Sequence, residues 1–312
     1  MADQISATSP KRSIATRIHG RFNRLGKRLR GGVAATAGGA LMLLGTLGSL
    51  PAIALTDEEF KQRLDLVPVF TVLREDNRPV VVFPQRRPGD TTPPTPADAR
   101  ILSFLDPEGL EKFMERLREE DSEAASRVTV LVSSVGEVYQ WGTDNPDGPQ
   151  VQYVPIISEL PRALELAREV NPDLARFPGV PLFVATNSEN NGYLTLEQNG
   201  RKVVPFFFRL EDLNTTLETF RRQSPTNPAL NNINIEVSTL GQVINVLKSS
   251  AADEQELAER IRLIPSGETM RYIGGLQQSR EGATPQRSQE SNATQGDATP
   301  TPSPTGAGAL MP

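Results

Sequence analysis

"VTVLVSSVGEVY", residues 128–139, returns 105 residues later as "INIEVSTLGQVI", residues 233–244. Four of the twelve positions are identical. Five more exchange like for like: Val for Ile twice, Ser for Thr, Val for Leu and Glu for Gln. Both copies read as a strand running into a helix. Val128, Val130 and Val132 in one, and Ile233, Ile235 and Val237 in the other, recur at every second position, the period of a strand. Ser133 or Ser238 then caps a helix carrying Val135, Val138 and Tyr139, or Leu240, Val243, Ile244 and Leu247.

Outward from these stretches the neighbours repeat in the same order. "VPVFTV" at Val67 corresponds to "VPLFVA" at Val180, and "RPVVVF" (Arg78–Phe83) to "YLTLEQ" (Tyr193–Gln198). "RILSFLDPEG" from Arg100 and "KVVPFFFRLED" from Lys202 are each a strand entering a helix start. Asn199-Gly200, before the second, is a two-residue hairpin turn. The helices that follow carry Leu110, Phe113, Met114 and Leu117, or Leu213, Leu217 and Phe220, at three- and four-residue spacing. Asp106 is the expected cap of the first, with Pro107 in its opening turn. "VQYVP" at Val151 and "IRLIP" at Ile261 close the series. Strands need Val and Ile and caps need Ser, so a single echo is compatible with coincidence; agreement in order across seven elements argues for repetition. The expected fold is α/β: two internally duplicated β-β-β-α-β-α-β units, residues 67–156 and 180–265. Together they form one pseudo-two-fold body, a mixed sheet flanked by helices.

Three other regions differ in character. Residues 1–54 carry eight Lys or Arg against one acid, then the apolar run Val33–Leu50, then "PAIA". This is the grammar of a secretory signal peptide cleaved after Ala54. An uncleaved anchor is the alternative, but four glycines dilute the run and it barely reaches the ~20 residues of a spanning helix. No adjacent arginine pair precedes it, which favours the general secretion route. Residues 274–312 are rich in Pro, Ser, Thr and Gly and are expected to be a disordered tail. Pro84–Ala99 has the same composition and reads as an exposed loop.

From Leu55 onward the chain holds 25 basic and 37 acidic residues, no cysteine and no histidine, since His19 lies in the leader. That excludes Ser-His-Asp and Cys-His chemistry, His-ligated zinc and thiol redox work. It also argues against nucleic acid or anionic lipid as a partner. No cofactor or metal site is expected, and no catalytic residue is assigned. The acidic run "REEDSE" (Arg118–Glu123) reads as solvated helix surface.

At "VPVFTV", "VPLFVAT" and "KVVPFFFRLEDLNTTLETF" the sequence resembles the Tic22-like family, over roughly residues 55–273. The family comprises a soluble intermembrane-space component of chloroplast-type protein import and its cyanobacterial periplasmic relatives. The resemblance implies a non-catalytic, chaperone-like factor in envelope protein transport and outer-membrane protein assembly. Its implied partners are unfolded or precursor envelope proteins and the outer-membrane β-barrel insertion machinery, with only peripheral membrane contact. The leader places it in the periplasm, with the thylakoid lumen as the second location. A carboxylate-dependent periplasmic hydrolase of envelope polysaccharide is the alternative function, and a purely structural envelope protein the third.

Two modes of protein binding are open. Phe206, Phe207 and Phe208 point to alternate faces of one strand. Together with Phe70, Phe83, Phe104, Leu182 and Phe183 they either sit under helices on both faces or line apolar grooves for a client chain. A client in extended form could instead pair with a sheet edge. Pro68, Pro155, Pro181, Pro205 and Pro265 fall in strand-like runs, where proline ordinarily marks and blocks an edge.

Overall fold

The computed structural model describes residues 55–84, 93–187, 192–198, 200–227 and 230–282. Residues 1–54, read as a signal peptide, the centre of the 84–99 stretch, Asn199 and the residues beyond Gly282 lie outside the described residues. The chain divides after Gly274 into two compact units, and the first carries both sheets.

Helix α1 (Asp57–Asp65) opens the described chain. The Thr56 side chain accepts from the Glu59 N–H and the Glu59 carboxylate accepts from the Thr56 N–H, a reciprocal cap that offsets two unpaired donors. The first sheet is built from β1 (Pro68–Arg74), β2 (Val81–Val82), β3 (Arg100–Phe104), β4 (Val128–Ser134) and β5 (Gln150–Val154). Between its strands lie α2 (Pro107–Glu120), α3 (Ser122–Ser126) and α4 (Val135–Asp144), and α5 (Leu160–Arg168) follows.

The second sheet is built from β6 (Pro181–Asn187), β7 (Gly192–Tyr193), β8 (Leu196–Gln198), β9 (Arg201–Phe207), β10 (Ile233–Thr239) and β11 (Ile261–Ile264). Its helices are α6 (Leu210–Gln223), α7 (Leu240–Leu247), α8 (Ala252–Arg260) and α9 (Gly267–Gly282).

The main strands run β4-β1-β3-β5 in the first sheet and β10-β6-β9-β11 in the second. The pairing senses match position for position. The outer and central pairs (β1 with β4, β1 with β3, β6 with β10, β6 with β9) are antiparallel, while β3 with β5 and β9 with β11 are parallel. The halves keep separate sheets and share a core. Val69 of the first sheet clusters there with Leu182, Val184, Val204, Phe206 and Phe208 of the second, enclosed by α1, α4, α7 and α8. The outer face of the second sheet carries Phe183, Ala185 and Phe207 under α5 and α6. The outer face of the first carries Phe70, Val72 and Phe104 under α2, with Tyr272 and Ile273 of α9 beside them.

Four expectations need correction. Helix α9 runs to Gly282 and so takes in the first nine residues of the stretch 274–312 expected to be a disordered tail. The caps of α4 and α7 are Ser134 and Thr239, one residue later than the serines first indicated. The partner three residues on decides the position: Glu137 and Gln242 each close a capping box with those residues. Asp106 stands at the cap of α2 but makes no side-chain cap bond. Three of the five prolines stand in internal strands, and only the two that follow the edge strands β5 and β11 are near an edge. Pro68 and Pro181 open the internal strands β1 and β6, Pro155 and Pro265 lie just past β5 and β11, and Pro205 sits within β9, beside β11.

Gly136 in the quoted stretch has a packing reason. A Cβ there would fall 2.2 Å from Asp65 Oδ1, and that carboxylate accepts from Ser134 Oγ at 2.7 Å. The N-terminus of α4 therefore rests directly on α1. Helix α1 is also fastened to the second half. Arg63 of α1 donates from Nη1 to the carbonyls of Ala258 (2.7 Å) and Ile261 (2.9 Å), and from Nη2 to that of Glu259 (3.0 Å). Three charge-assisted bonds from one planar fork are specific to arginine. Arg63→Ala is expected to lower unfolding free energy by about 2 kcal/mol, measured by urea denaturation, with Arg63→Lys restoring only part of it.

Candidate functional site

Seven of the eight residues singled out for apolar grooves are interior. Phe70, Phe104, Leu182, Phe183, Phe206, Phe207 and Phe208 are all buried. Helices cover both faces of each sheet's centre, so the adjacent rings of β9 split between the shared core (Phe206, Phe208) and the outer layer (Phe207). The reading in which these residues form an open groove is corrected: they are core. Phe83 is the exception, 51 % exposed just beyond β2.

The open apolar surface lies in the stretch that began the sequence reading. Val130, Leu131 and Val132 of β4 are 36, 45 and 37 % exposed. Register explains why both faces of the strand show. Val132 lies opposite Phe70 and Val130 opposite Val72, on the face covered by α2, whereas Leu131 lies opposite Thr71 on the other face. The covering helices reach the buried residues of β1 and stop short of β4. Only Val128, at the start of β4, packs against the outer cluster.

Among the described residues β4 pairs with β1 alone, and its outer side is a free sheet edge. The Val135 N–H donates to Val67 O at 2.8 Å, while the Ser134 N–H turns to the Glu137 carboxylate. Backbone direction alternates along a strand. Ser133, Leu131 and Thr129 therefore address β1, and the N–H and C=O groups of Val128, Val130 and Val132 face outward. The Val80 N–H, bonded to Val72 O on the far side of β1, fixes the same parity from that side.

The corresponding edge, β10, is shielded differently. Ile233, Ile235 and Val237 pack against the cluster that holds Ala163 and Leu166 of α5. Glu236 stands where β4 has Leu131, and it accepts from Thr186 Oγ1 at 3.3 Å. A charge on an edge strand is a common guard against unwanted pairing. The sequence signal for this difference was the one non-matching pair in the middle of the echo, Leu131 against Glu236, together with the seven uncharged residues "VTVLVSS".

Acidic chemistry gathers elsewhere. Asp106 is 2 % exposed and its Oδ1 has no hydrogen-bond partner. Burial pushes its carboxyl up to about 6, with Glu108 and Glu268 adding to the effect and the Gly109 N–H and Arg209 opposing it. Arg209 bridges Glu268 (2.8 Å) and Glu159 (3.8 Å). Pro107, Glu108, Glu111, Glu268, Arg271 and Tyr272 line a shallow, open cleft nearby. A hydrolase acid must be both proton-bearing near neutrality and within reach of its substrate. Asp106 has the first property and not the second. Glu108 is open to solvent, but its bond to Lys112 (2.5 Å) holds it below the usual carboxylate range.

A family model described as the Tic22-like family matches residues 8–273. The chain belongs to that family. Two solved Tic22 structures share the fold. The Tic22 of Anabaena, described as a protein-transport protein, superposes with a TM-score of 0.57 at 20 % identity, covering 71 % of this chain and 97 % of that one. Tic22 from Plasmodium falciparum superposes with a TM-score of 0.53 at 16 % identity, covering 70 % of this chain and 98 % of that one. No curated protein sequence matches. At these identities the Tic22 structures speak to architecture. The α/β class expected from the repeats is the architecture found, and the Tic22-like resemblance read from the Val-Pro-φ-Phe and Pro-Phe-Phe-Phe strands is confirmed by the family match. No described helix is long and apolar enough to cross a membrane.

Proposed function

We propose that this Tic22-like protein is a non-catalytic carrier that binds other proteins in non-native form during transport through the cell envelope. On this reading residues 1–54 are a signal peptide removed after Ala54, and the protein acts in the periplasm. The repeats 67–156 and 180–265 are two copies of one unit, and the tail outside the working body begins after α9 rather than at 274. Its clients are outer-envelope precursors, handed on to the β-barrel insertion machinery. Family membership supports the transport assignment. The observation that carries the binding role is the uncovered apolar strand Val130–Val132, since a soluble body this size ordinarily hides such a run. Phe83 is a second exposed apolar contact.

The test is suppression of aggregation of a urea-unfolded β-barrel protein on dilution, with a photo-crosslinking amino acid at Leu131 or Phe83. The wild type is expected to delay aggregation, and crosslinks are expected at Leu131. Leu131→Asp should reduce the protective effect about tenfold in the concentration required, consistent with losing one well-placed apolar contact, with an unchanged melting curve. Equal protection by an unrelated acidic protein would sink the assignment.

A further inference from the structure

We infer that the free edge of β4 captures its client as an added β-strand, and that the preferred segment is uncharged and β-branched for about seven residues with lysine or arginine at one end. This rests on the carrier reading and specifies how the carrier engages cargo. Three features lead to it. The outward N–H and C=O groups of Val128, Val130 and Val132 form an unpaired half-ladder, which a second strand completes with main-chain hydrogen bonds. The exposed side chains on both faces, Val130 and Val132 on one and Leu131 on the other, suit a partner that is itself apolar or β-branched. No charge stands between Val128 and Ser134 to repel it.

Charge at the strand's beginning sets the flank. Glu119, Glu120 and Asp121, at and just past the end of α2, are exposed shortly before β4 starts, while Glu123 is paired with Arg127, the residue next to Val128. A segment that continues past Val128 would pass that neutral pair and then meet the net negative charge of the three remaining acids, which favours a basic residue over an acidic one.

A second copy of this chain is the competing occupant, and two observations weigh against it. A seven-residue ladder is about 24 Å long and one strand wide. That footprint falls well short of the roughly 1,200–2,000 Å² a stable dimer buries. The chain from Leu55 onward also carries 37 acids against 25 bases, so two copies repel one another. A short ladder is instead suited to cargo that must be released.

The edge can be tested without disturbing the sheet. Val130 directs its N–H outward, so Val130→Pro removes a donor that β1 does not use. The probe is a fluorescent peptide of seven alternating valines and threonines ending in two lysines, titrated into the full chain. A control peptide carries N-methyl groups at every second residue, which removes donors while keeping side chains. Binding by the first peptide, with at least a tenfold loss for Val130→Pro and for the N-methylated peptide, and a further loss when glutamates replace the lysines, is the expected result. The N-methylated peptide keeps the test decisive should the proline variant not fold. Binding that N-methylation leaves unchanged overturns strand addition while leaving the carrier reading intact. Aggregation suppression failing in the wild type overturns the carrier reading itself. A wild-type dimer in light scattering that Val130→Pro dissolves shows the edge belongs to a second copy and overturns the client assignment.

Discussion

Phe206→Asp is expected to yield no recoverable folded protein, whereas Phe83→Asp should purify with the circular dichroism spectrum and melting curve of the wild type. The contrast follows from position. Phe206 is fully buried at the junction of the two halves, 6.1 Å from the Tyr193 ring centre to centre and in one cluster with Val69, Leu182 and Leu263. Truncation of such a ring costs about 3–5 kcal/mol, against a total stability of roughly 5–15 kcal/mol for a domain. A carboxylate in its place adds desolvation with no partner. Phe206→Leu, which keeps most of the volume, is expected to fold with a lowered transition. Phe83 has half its surface in water and loses little. A soluble, folded Phe206→Asp that had lost only client capture would restore the groove reading rejected above.

The second large effect concerns acid. The Asp106 carboxyl sits at the cap of α2 with burial as the main cause of its raised pKa of about 6. In the unfolded chain the same group titrates near 3.9. Between those values the folded state holds a proton that the unfolded state has released, so stability falls as pH rises from about 4 through about 6 and stays reduced above. The shift corresponds to about 2–3 kcal/mol at neutral pH. Asp106→Asn removes the ionisation while retaining an N-cap residue of equal rank. The variant should therefore exceed the wild type at pH 7.5 by about 2 kcal/mol and match it at pH 3.5. Guanidinium denaturation at both values measures the difference. An asparagine variant weaker than the wild type at pH 7.5 means that the Arg209 and Gly109 interactions outweigh burial.

How far the sequence reveals this molecule depends on which physics writes each feature. Strand alternation, capping pairs and helical spacing are local, and they recur in both halves. The order of elements from "VPVF" to "IRLIP" was therefore legible, and so was the family through its Val-Pro-φ-Phe and Pro-Phe-Phe-Phe strands. Helices α1, α3, α5 and α8 were not set out, because each is short and lies outside the matched elements, and α9 was missed because its second half has the polar composition of a tail.

The candidate site failed to appear for a different reason. A phenylalanine next to a phenylalanine looks the same in sequence whether a helix covers it or not. Cover is decided by elements more than a hundred residues away, such as Tyr272 packing edge-on against Phe70. The exposed Val130–Val132 looked like ordinary strand for the same reason. Its openness comes from where α2 stops, and only the substitution of Leu131 for Glu236 hinted that the two edges are guarded differently. Three of the prolines misled because Pro68, Pro181 and Pro205 stand in internal strands, whereas Pro155 and Pro265 do follow edge strands.

The fastening of the first half to the second bears on the order in which the protein can assemble. Arg63 waits for carbonyls 195 to 198 residues later, and the Leu105 carbonyl waits for Thr269, 164 residues later. These bonds of the first half therefore form only once the second half is present. A severed first half would present α1 and β1 with their interior surfaces bare. Contacts of such long sequence separation are expected to slow folding.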